Sequence, residues 1–264
     1  MKRTRKTILL SDYPTRFHAL LSDAEVYDSS CSPEARVIMI EREGGCFLKS
    51  APAGTLAREA ALDAYFHKKG LSAPVLDYCT VGDKDWLLTA RVRGEDLTHH
   101  AYLSDPKRLA ILLGERLRAL HEESYADCPV QTRMKEYFAT AEENYRNGVC
   151  DPSFYKDYKD FGCADAQELH RIVEANRESL LGDVLLHGDY CLPNVMLDDW
   201  RFSGFIDLGN GGVGDRHVDL FWGAWTLWFN LKTDEYRNRF FDAYGRDKVD
   251  LEKIEIIAAA EVFG

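Results

Sequence analysis

Apolar positions along this chain follow two regimes. Up to about residue 95 they come in short runs broken by turn residues. The segment from Ala35 to Arg42 has a β-rich centre, a Gly44-Gly45 turn follows, and Cys46-Phe47-Leu48-Lys49 resumes the run, which predicts a hairpin. Apolar or small residues at 56, 60, 61, 64 and 65 predict a helix over Leu56 to Lys69, stopped at Gly70. Pro74-Val75-Leu76 and Asp85 to Thr89 read as further strands, and Arg93-Gly94-Glu95 as the crossing into a second region. From about residue 105 the spacing turns helical. Asp105 is a capping residue, Pro106 suits the first helical position, and Leu109, Leu112, Leu113, Leu117 and Leu120 continue one face to His121. Further helices are predicted over about 132–147, 165–180, 217–230, 234–244 and 250–262, the last capped by Asp250. The expected architecture is α+β and bilobal, with a small strand-rich lobe over 1–92 and a larger, mostly helical lobe over 93–264.

Composition narrows the classes. The 264 residues are 45% hydrophobic and 29% charged, enough for one large domain or two lobes with their own cores. No apolar run approaches the roughly 18 residues of a membrane span. The basic stretch Met1 to Lys6 is followed by too short an apolar segment for a secretion signal. The seven cysteines are scattered without a Cys-x-x-Cys pair, so neither a zinc site nor a disulfide framework is expected, and a cytoplasmic location is. The net charge of −11 argues against nucleic acid as a partner and suits a cationic small molecule, although acidic surfaces also serve solubility alone.

Candidate chemistry concentrates in Leu185-Leu186-His187-Gly188-Asp189-Tyr190-Cys191-Leu192-Pro193-Asn194-Val195-Met196-Leu197. Two apolar stretches flank a polar loop, and four residues separate Asp189 from Asn194. Kinase catalytic loops use that spacing, with an Asp that orients the acceptor hydroxyl and an Asn that binds magnesium. A short apolar strand then ends at Asp207, where kinases place a second metal-binding carboxylate. Each feature has a plain structural reading when taken singly: Gly188-Asp189 as a turn, Asp207 as a strand end, His187 as a buried brace. Upstream, Lys49 ends an apolar run and Glu59 lies ten residues later on the first predicted helix, the order of the kinase strand lysine and its helix glutamate. Taken alone, Lys49 reads as a lysine on an edge strand.

His187 to Asn194, Arg201 to Gly209 and Gly214 to Asp219 resemble the aminoglycoside phosphotransferases, and most closely the 3′-phosphotransferases that act on kanamycin and neomycin. Asp85 to Leu88, Gly94 to Leu97, Leu117 to His121, Asp127 to Pro129 and Ala260 to Phe263 extend the resemblance over most of the chain. It implies a protein-kinase-like fold, ATP with GTP left open, Mg2+, and transfer of the γ-phosphate to an antibiotic hydroxyl, conferring resistance. It implies Asp189 as the catalytic residue and Asn194 and Asp207 as metal ligands. Lys49 would contact the α- and β-phosphates, Glu59 would orient it, and Ser32 would lie in the phosphate-covering hairpin. Ala90 and Val92 would read adenine through backbone groups. Arg216 and Asp219 would brace the catalytic loop. No membrane partner is implied, and a monomer or weak dimer is expected.

The resemblance implies substrate contacts from Glu261, Phe263 and an acidic loop holding Asp157 and Asp160. Departures occur here. Phe221 to Asn230 reads Phe-Trp-Gly-Ala-Trp-Thr-Leu-Trp-Phe-Asn where the family carries charged residues, Ala260 and Asn210 replace an acid and an Arg, and Gly264 follows Phe263. Phe221 and Trp222 read as core. Trp225, Trp228 and Phe229, with Asn230, are candidate substrate contacts, because sugars and cations both sit on aromatic faces. A same-fold kinase for another antibiotic, choline or an amino alcohol therefore stands as the alternative, and an inactive nucleotide-binding module as a third reading.

Overall fold

The sheet of the first unit owes its two faces to period-two alternation in its strands. A computed structural model describes residues 4–31, 35–42, 44–152, 154–155, 166–180 and 182–264. The chain divides into two units, residues 1–99 with 195–209, and residues 100–194 with 210–264. In the first, β1 (Thr4–Arg5), β2 (Glu25–Asp28), β3 (Arg36–Glu41), β4 (Cys46–Pro52), β5 (Val75–Val81) and β6 (Lys84–Ala90) form one sheet in the order β1-β2-β3-β4-β6-β5, antiparallel throughout. Ile38 and Ile40 of β3, Cys46 and Leu48 of β4, and Trp86 and Leu88 of β6 point to one face and join a core with Phe17, Leu21 and Val26. The alternate positions, Val37, Phe47, Lys49, Leu87 and Thr89, line a cavity on the other face.

The predicted helix is α2 (Ala57–Lys68), following the short α1 (His18–Leu21), and Gly70 terminates it with φ +72°. No side chain of its own caps α2. Its start is held from across the sheet, where buried Asp85 accepts the Leu56 N–H at 3.0 Å and the Thr80 hydroxyl at 2.7 Å. Burial alone would raise the Asp85 pKa, but these bonds outweigh it and hold the carboxyl below the usual carboxylate range.

One boundary differs from expectation. Residues 195–209, expected in the helical lobe, group with the first unit. The hairpin of β9 (Val195–Asp198) and β10 (Arg201–Phe205) pairs with β7 (Glu95–Asp96), and the Phe205 N–H donates to the Leu71 carbonyl at 2.7 Å. Phe205 also meets Phe66 of α2 edge-on at 6.4 Å. Gly94, at φ +87°, lies so close to this hairpin that an added Cβ would sit 1.9 Å from the Leu197 carbonyl oxygen. Non-local pairing and burial decide membership here, and neither is visible in the local pattern.

The second unit is helical: α3 (His100–Leu103), α4 (Pro106–His121), α5 (Arg133–Arg146), α6 (Ala166–Asn176), α7 (His217–Leu231), α8 (Arg237–Tyr244) and α9 (Leu251–Glu261). Asp105 caps α4 by accepting the Arg108 N–H, and Asp250 caps α9 by accepting from Glu252 and Lys253. Of the α4 face predicted from Leu109, Leu112, Leu113, Leu117 and Leu120, all are buried but Leu112, which is half-buried. Beside the helices, β8 (Val184–Leu186) pairs antiparallel with β11 (Gly212–Gly214). No described helix is long and apolar enough to cross a membrane.

Candidate active site

In the first unit, strand alternation turns Lys49 away from the core and towards the cavity, and the Asp85-held helix turns Glu59 to meet it. Lys49 Nζ lies 2.8 and 2.9 Å from the two Glu59 oxygens and 3.2 Å from Asp207 Oδ1. Burial by itself would lower the lysine pKa, but the charges of Asp207 and Glu59 together push it well above its ordinary value, so the cation persists at neutral pH. Asp207 follows β10 with φ 57°, in the left-handed region, which costs a non-glycine residue roughly 1–2 kcal/mol.

The cavity, of about 180 Å³, runs between Val37 and Phe47 of the sheet and Met196, Phe205 and Ile206 of the hairpin, with Lys49, Glu59 and Asp207 at one part of its wall. Ala90 and Val92 also line it. The Ala90 N–H is bonded to the Pro74 carbonyl and that of Arg91 to Gly45. Asp63, one helical turn beyond Glu59, completes the rear wall, and burial together with the Glu59 charge pushes its pKa up to about 8.

In the second unit the Asp189 loop hangs on Asp219, whose two oxygens accept the His187 and Gly188 N–H groups, each at 2.8 Å. Buried His121 approaches the same carboxylate at 3.1 Å through Nε2. Burial lowers the His121 pKa more than Asp219 raises it. Gly188 takes φ +85°, and a Cβ there would lie 1.8 Å from the Asn210 carbonyl oxygen, so no other residue fits. His187 is fully buried, and its Nδ1 accepts the Asp189 N–H at 3.3 Å, which makes it the brace that the sequence suggested. Tyr190 anchors the loop to α4 through the Leu113 carbonyl at 2.8 Å. Asn194 Nδ2 donates to the Asp189 carbonyl at 2.9 Å and to its Oδ2 at 2.8 Å. Arg216 pairs with Asp183 at 3.0 Å and donates to the Tyr244 hydroxyl at 3.2 Å.

The expected substrate residues are placed less uniformly. Ser32, Asp157 and Asp160 lie outside the described residues. Glu261 is buried, and its Oε1 accepts the Tyr137 hydroxyl at 2.8 Å and the Trp222 indole N–H at 3.1 Å. Burial raises its pKa to about 7 against these two bonds. Phe263 is also buried, with Tyr145 edge-on at 5.5 Å and its carbonyl accepting from Asn144. Asn230 turns back onto its own helix, donating to the Thr226 carbonyl at 2.8 Å. Phe221 is core, as expected. Trp225 stacks on Phe229 at 4.8 Å and 12°, and Lys232 lies 4.1 Å above the Phe229 ring and 5.9 Å from that of Trp228.

Sequence reasoning missed Asp85 and Asp63. Asp63 left a signal, since it lies four residues after Glu59 on the same helix face. Asp85 left only an acid at the head of an apolar strand, and nothing local ties it to Leu56.

A profile of the phosphotransferase enzyme family matches residues 29–256. A protein of Lactococcus lactis described as a probable aminoglycoside 3′-phosphotransferase is 45% identical over 257 residues, which is 97% of each chain. An aminoglycoside 3′-phosphotransferase of Niallia circulans is 29% identical over 82% of this chain and 83% of its own. Among solved structures, an aminoglycoside phosphotransferase of Streptomyces rimosus in complex with ADP and streptomycin superposes with a TM-score of 0.75 at 23% identity, over 98% of this chain and 100% of its own. The expected protein-kinase-like fold is the one observed. With the profile spanning most of the sequence and the Lactococcus relative nearly all of it, this chain belongs to the phosphotransferase enzyme family.

Proposed function

We propose that this protein transfers the γ-phosphate of ATP, with Mg2+, to a hydroxyl of an aminoglycoside antibiotic, the 3′-hydroxyl being the expected acceptor. The observation that carries the phosphotransfer reading is Lys49, buried between Glu59 and Asp207 at the wall of the first unit's cavity. The aminoglycoside reading rests on the relatives and on the acidic net charge, which suits a cationic acceptor.

The first unit is read as the nucleotide-binding lobe. Val37, Phe47 and Ile206 would enclose the base, Ala90 and Val92 would read its edge through the backbone, and Lys49 would meet the α- and β-phosphates. Glu59 and Asp207 hold that lysine charged and in place. Ser32 would cover the phosphates. The second unit is read as the catalytic and acceptor-binding lobe. Asp189 would orient the acceptor hydroxyl and take its proton late, since phosphoryl transfer depends on alignment more than on a strong base. Asn194 steadies that carboxylate by donating to Oδ2.

Asn194 and Asp207 fit a hard cation. The Asn194 amide nitrogen is engaged by Asp189, which leaves its oxygen, and one Asp207 oxygen is engaged by Lys49, which leaves the other. Bound there, magnesium would offset phosphate charge. Glu261, Phe263, Asp157, Asp160, Trp228 and Asn230 are the proposed acceptor contacts. A cytoplasmic monomer or weak dimer conferring resistance accompanies this reading.

A second reading, a kinase of the same fold for another small molecule, is favoured by one observation: Glu261 is engaged by Tyr137 and Trp222, while an aromatic stack stands on α7. The test is ATP consumption by the purified protein with Mg2+ against kanamycin, neomycin, non-aminoglycoside antibiotics and choline, repeated with GTP. Turnover with kanamycin is expected. Turnover confined to another compound moves the acceptor and keeps the mechanism. Nucleotide binding without turnover on any compound would sink the aminoglycoside reading and leave an acceptor outside the panel to be weighed against the inactive module.

A further inference from the structure

Away from the residues above, helices α5 and α6 bring Glu142, His170 and Glu174 together, with one ligand atom of each within 4.8 Å of the others. His170 and Glu174 are four residues apart and so share one face of α6. His170 Nε2 lies 2.6 Å from Glu142 Oε2 across the two helices. The imidazole is held flat against Tyr145, with centroids 3.8 Å apart and planes at 10°. Each carboxylate is also steadied through one oxygen by an arginine on its own helix or just beyond it. Arg146 meets Glu142 Oε1 at 2.6 Å, and Arg177 meets Glu174 Oε1 at 3.0 Å. The second oxygen of each is left for another partner, and for Glu142 that partner is the imidazole.

We propose that Glu142, His170 and Glu174 form a site for a divalent transition metal of the zinc type that links α5 to α6. One imidazole and two carboxylates suit zinc rather than magnesium, which prefers an all-oxygen shell. On binding, the ion takes the place of the hydrogen bond between His170 Nε2 and Glu142 Oε2, and the imidazole binds as the neutral ring with its proton on Nδ1. Zinc bonds of about 2.0–2.2 Å require ligand atoms somewhat closer than 4.8 Å. His170 and Glu142, at 2.6 Å, need only part slightly to take an ion between them, so the closure falls to the Glu174 side chain, which is exposed and turns about its own bonds. The Tyr145 stack and the arginine contacts orient the ligands as outer partners do in metal sites. The expected consequence is mechanical. Tyr145 and His170 both pack edge-on to Phe263, at 5.5 and 6.2 Å, so an ion here stiffens the wall behind the C-terminal residues.

The experiment is zinc titration of the EDTA-treated full chain by calorimetry, with thermal melts and magnesium as the control ion. One equivalent of zinc should bind and raise the melting temperature by several degrees, and equal magnesium should do neither. His170→Phe keeps a ring on Tyr145 and removes the nitrogen ligand, and Glu142→Gln keeps a hydrogen-bonding partner for His170. Both should fold and bind zinc at least tenfold more weakly. Zinc binding that persists unchanged in both variants would assign the ion to the thiols, Cys150 being exposed, and overturn the proposal. Weak, non-saturating binding means an adventitious ion only and overturns it equally. None of these outcomes depends on the acceptor being an aminoglycoside.

Discussion

Lys49 in the first unit and Asp189 in the second are fixed in opposite ways. Lys49 is fixed by charge, with two carboxylates converging on its ammonium. Asp189 is fixed by backbone: its loop is suspended from Asp219 by two N–H groups, and its side chain receives an amide N–H rather than a cation. The difference follows from what each is proposed to meet. A lysine facing a polyphosphate must stay cationic where burial opposes charge, and flanking acids secure that. A carboxylate meant to receive a hydroxyl proton is better left without a tight cation, whose hydrogen bonds would occupy its lone pairs and weaken it as an acceptor.

Substitutions in each unit should therefore fail in different measurements. Asp189→Asn should fold, keep nucleotide affinity and lose about a hundredfold or more in kcat, because Asn still accepts from Asn194 but takes no proton. An unchanged kcat would remove Asp189 from the chemistry. Lys49→Ala should raise KM for ATP by on the order of tenfold, with kcat the less affected parameter. A loss of kcat alone would erase the contrast between the two units. Asp85→Ala should cost about 1–3 kcal/mol in denaturant unfolding, since the Leu56 N–H and the Thr80 hydroxyl lose a buried acceptor. Its activity should fall through nucleotide affinity, because α2 carries Glu59.

The smallest effect concerns pH. The Glu261 pKa in the folded protein, about 7, lies above the ordinary value of 4.5. Below 4.5 both folded and unfolded chains hold the proton, and the group is neutral to stability. Between 4.5 and 7 the unfolded chain releases it first, so stability falls as pH rises, and the loss is complete above 7. Glu261→Gln should thus match the parent at pH 4.5 and melt higher at pH 8, by about 1 kcal/mol once relaxation is allowed for. Melting curves at the two pH values test this, and an equal difference at both would exclude the titration.

The reach of the sequence can be argued residue by residue. Capping at Asp105 and Asp250, the leucine face of α4, the β3–β4 hairpin and the stop at Gly70 all follow from neighbours within one or two turns, where steric and hydrogen-bonding preferences act without help. The Asp189 to Asp207 segment was legible for the same reason, because its polar groups are set by spacing along one stretch of chain. Lys49 and Glu59 could be paired only by analogy with the kinase order and by the resemblance, since ten residues of sequence say nothing of a 2.8 Å contact.

Tertiary structure alone decided the rest. It moved residues 195–209 into the first unit, because the hairpin edge finds β7 and the Phe205 ring finds Phe66. It made Asp85 the support of a helix it does not belong to. It also engaged Glu261, read from sequence as a substrate acid, with Tyr137 and Trp222. The physical reason is common to all three. Local pattern encodes which residues want burial or a partner, while the identity of that partner is settled by which distant surfaces close together to exclude water, and only there does an acid find the particular N–H or hydroxyl that completes it.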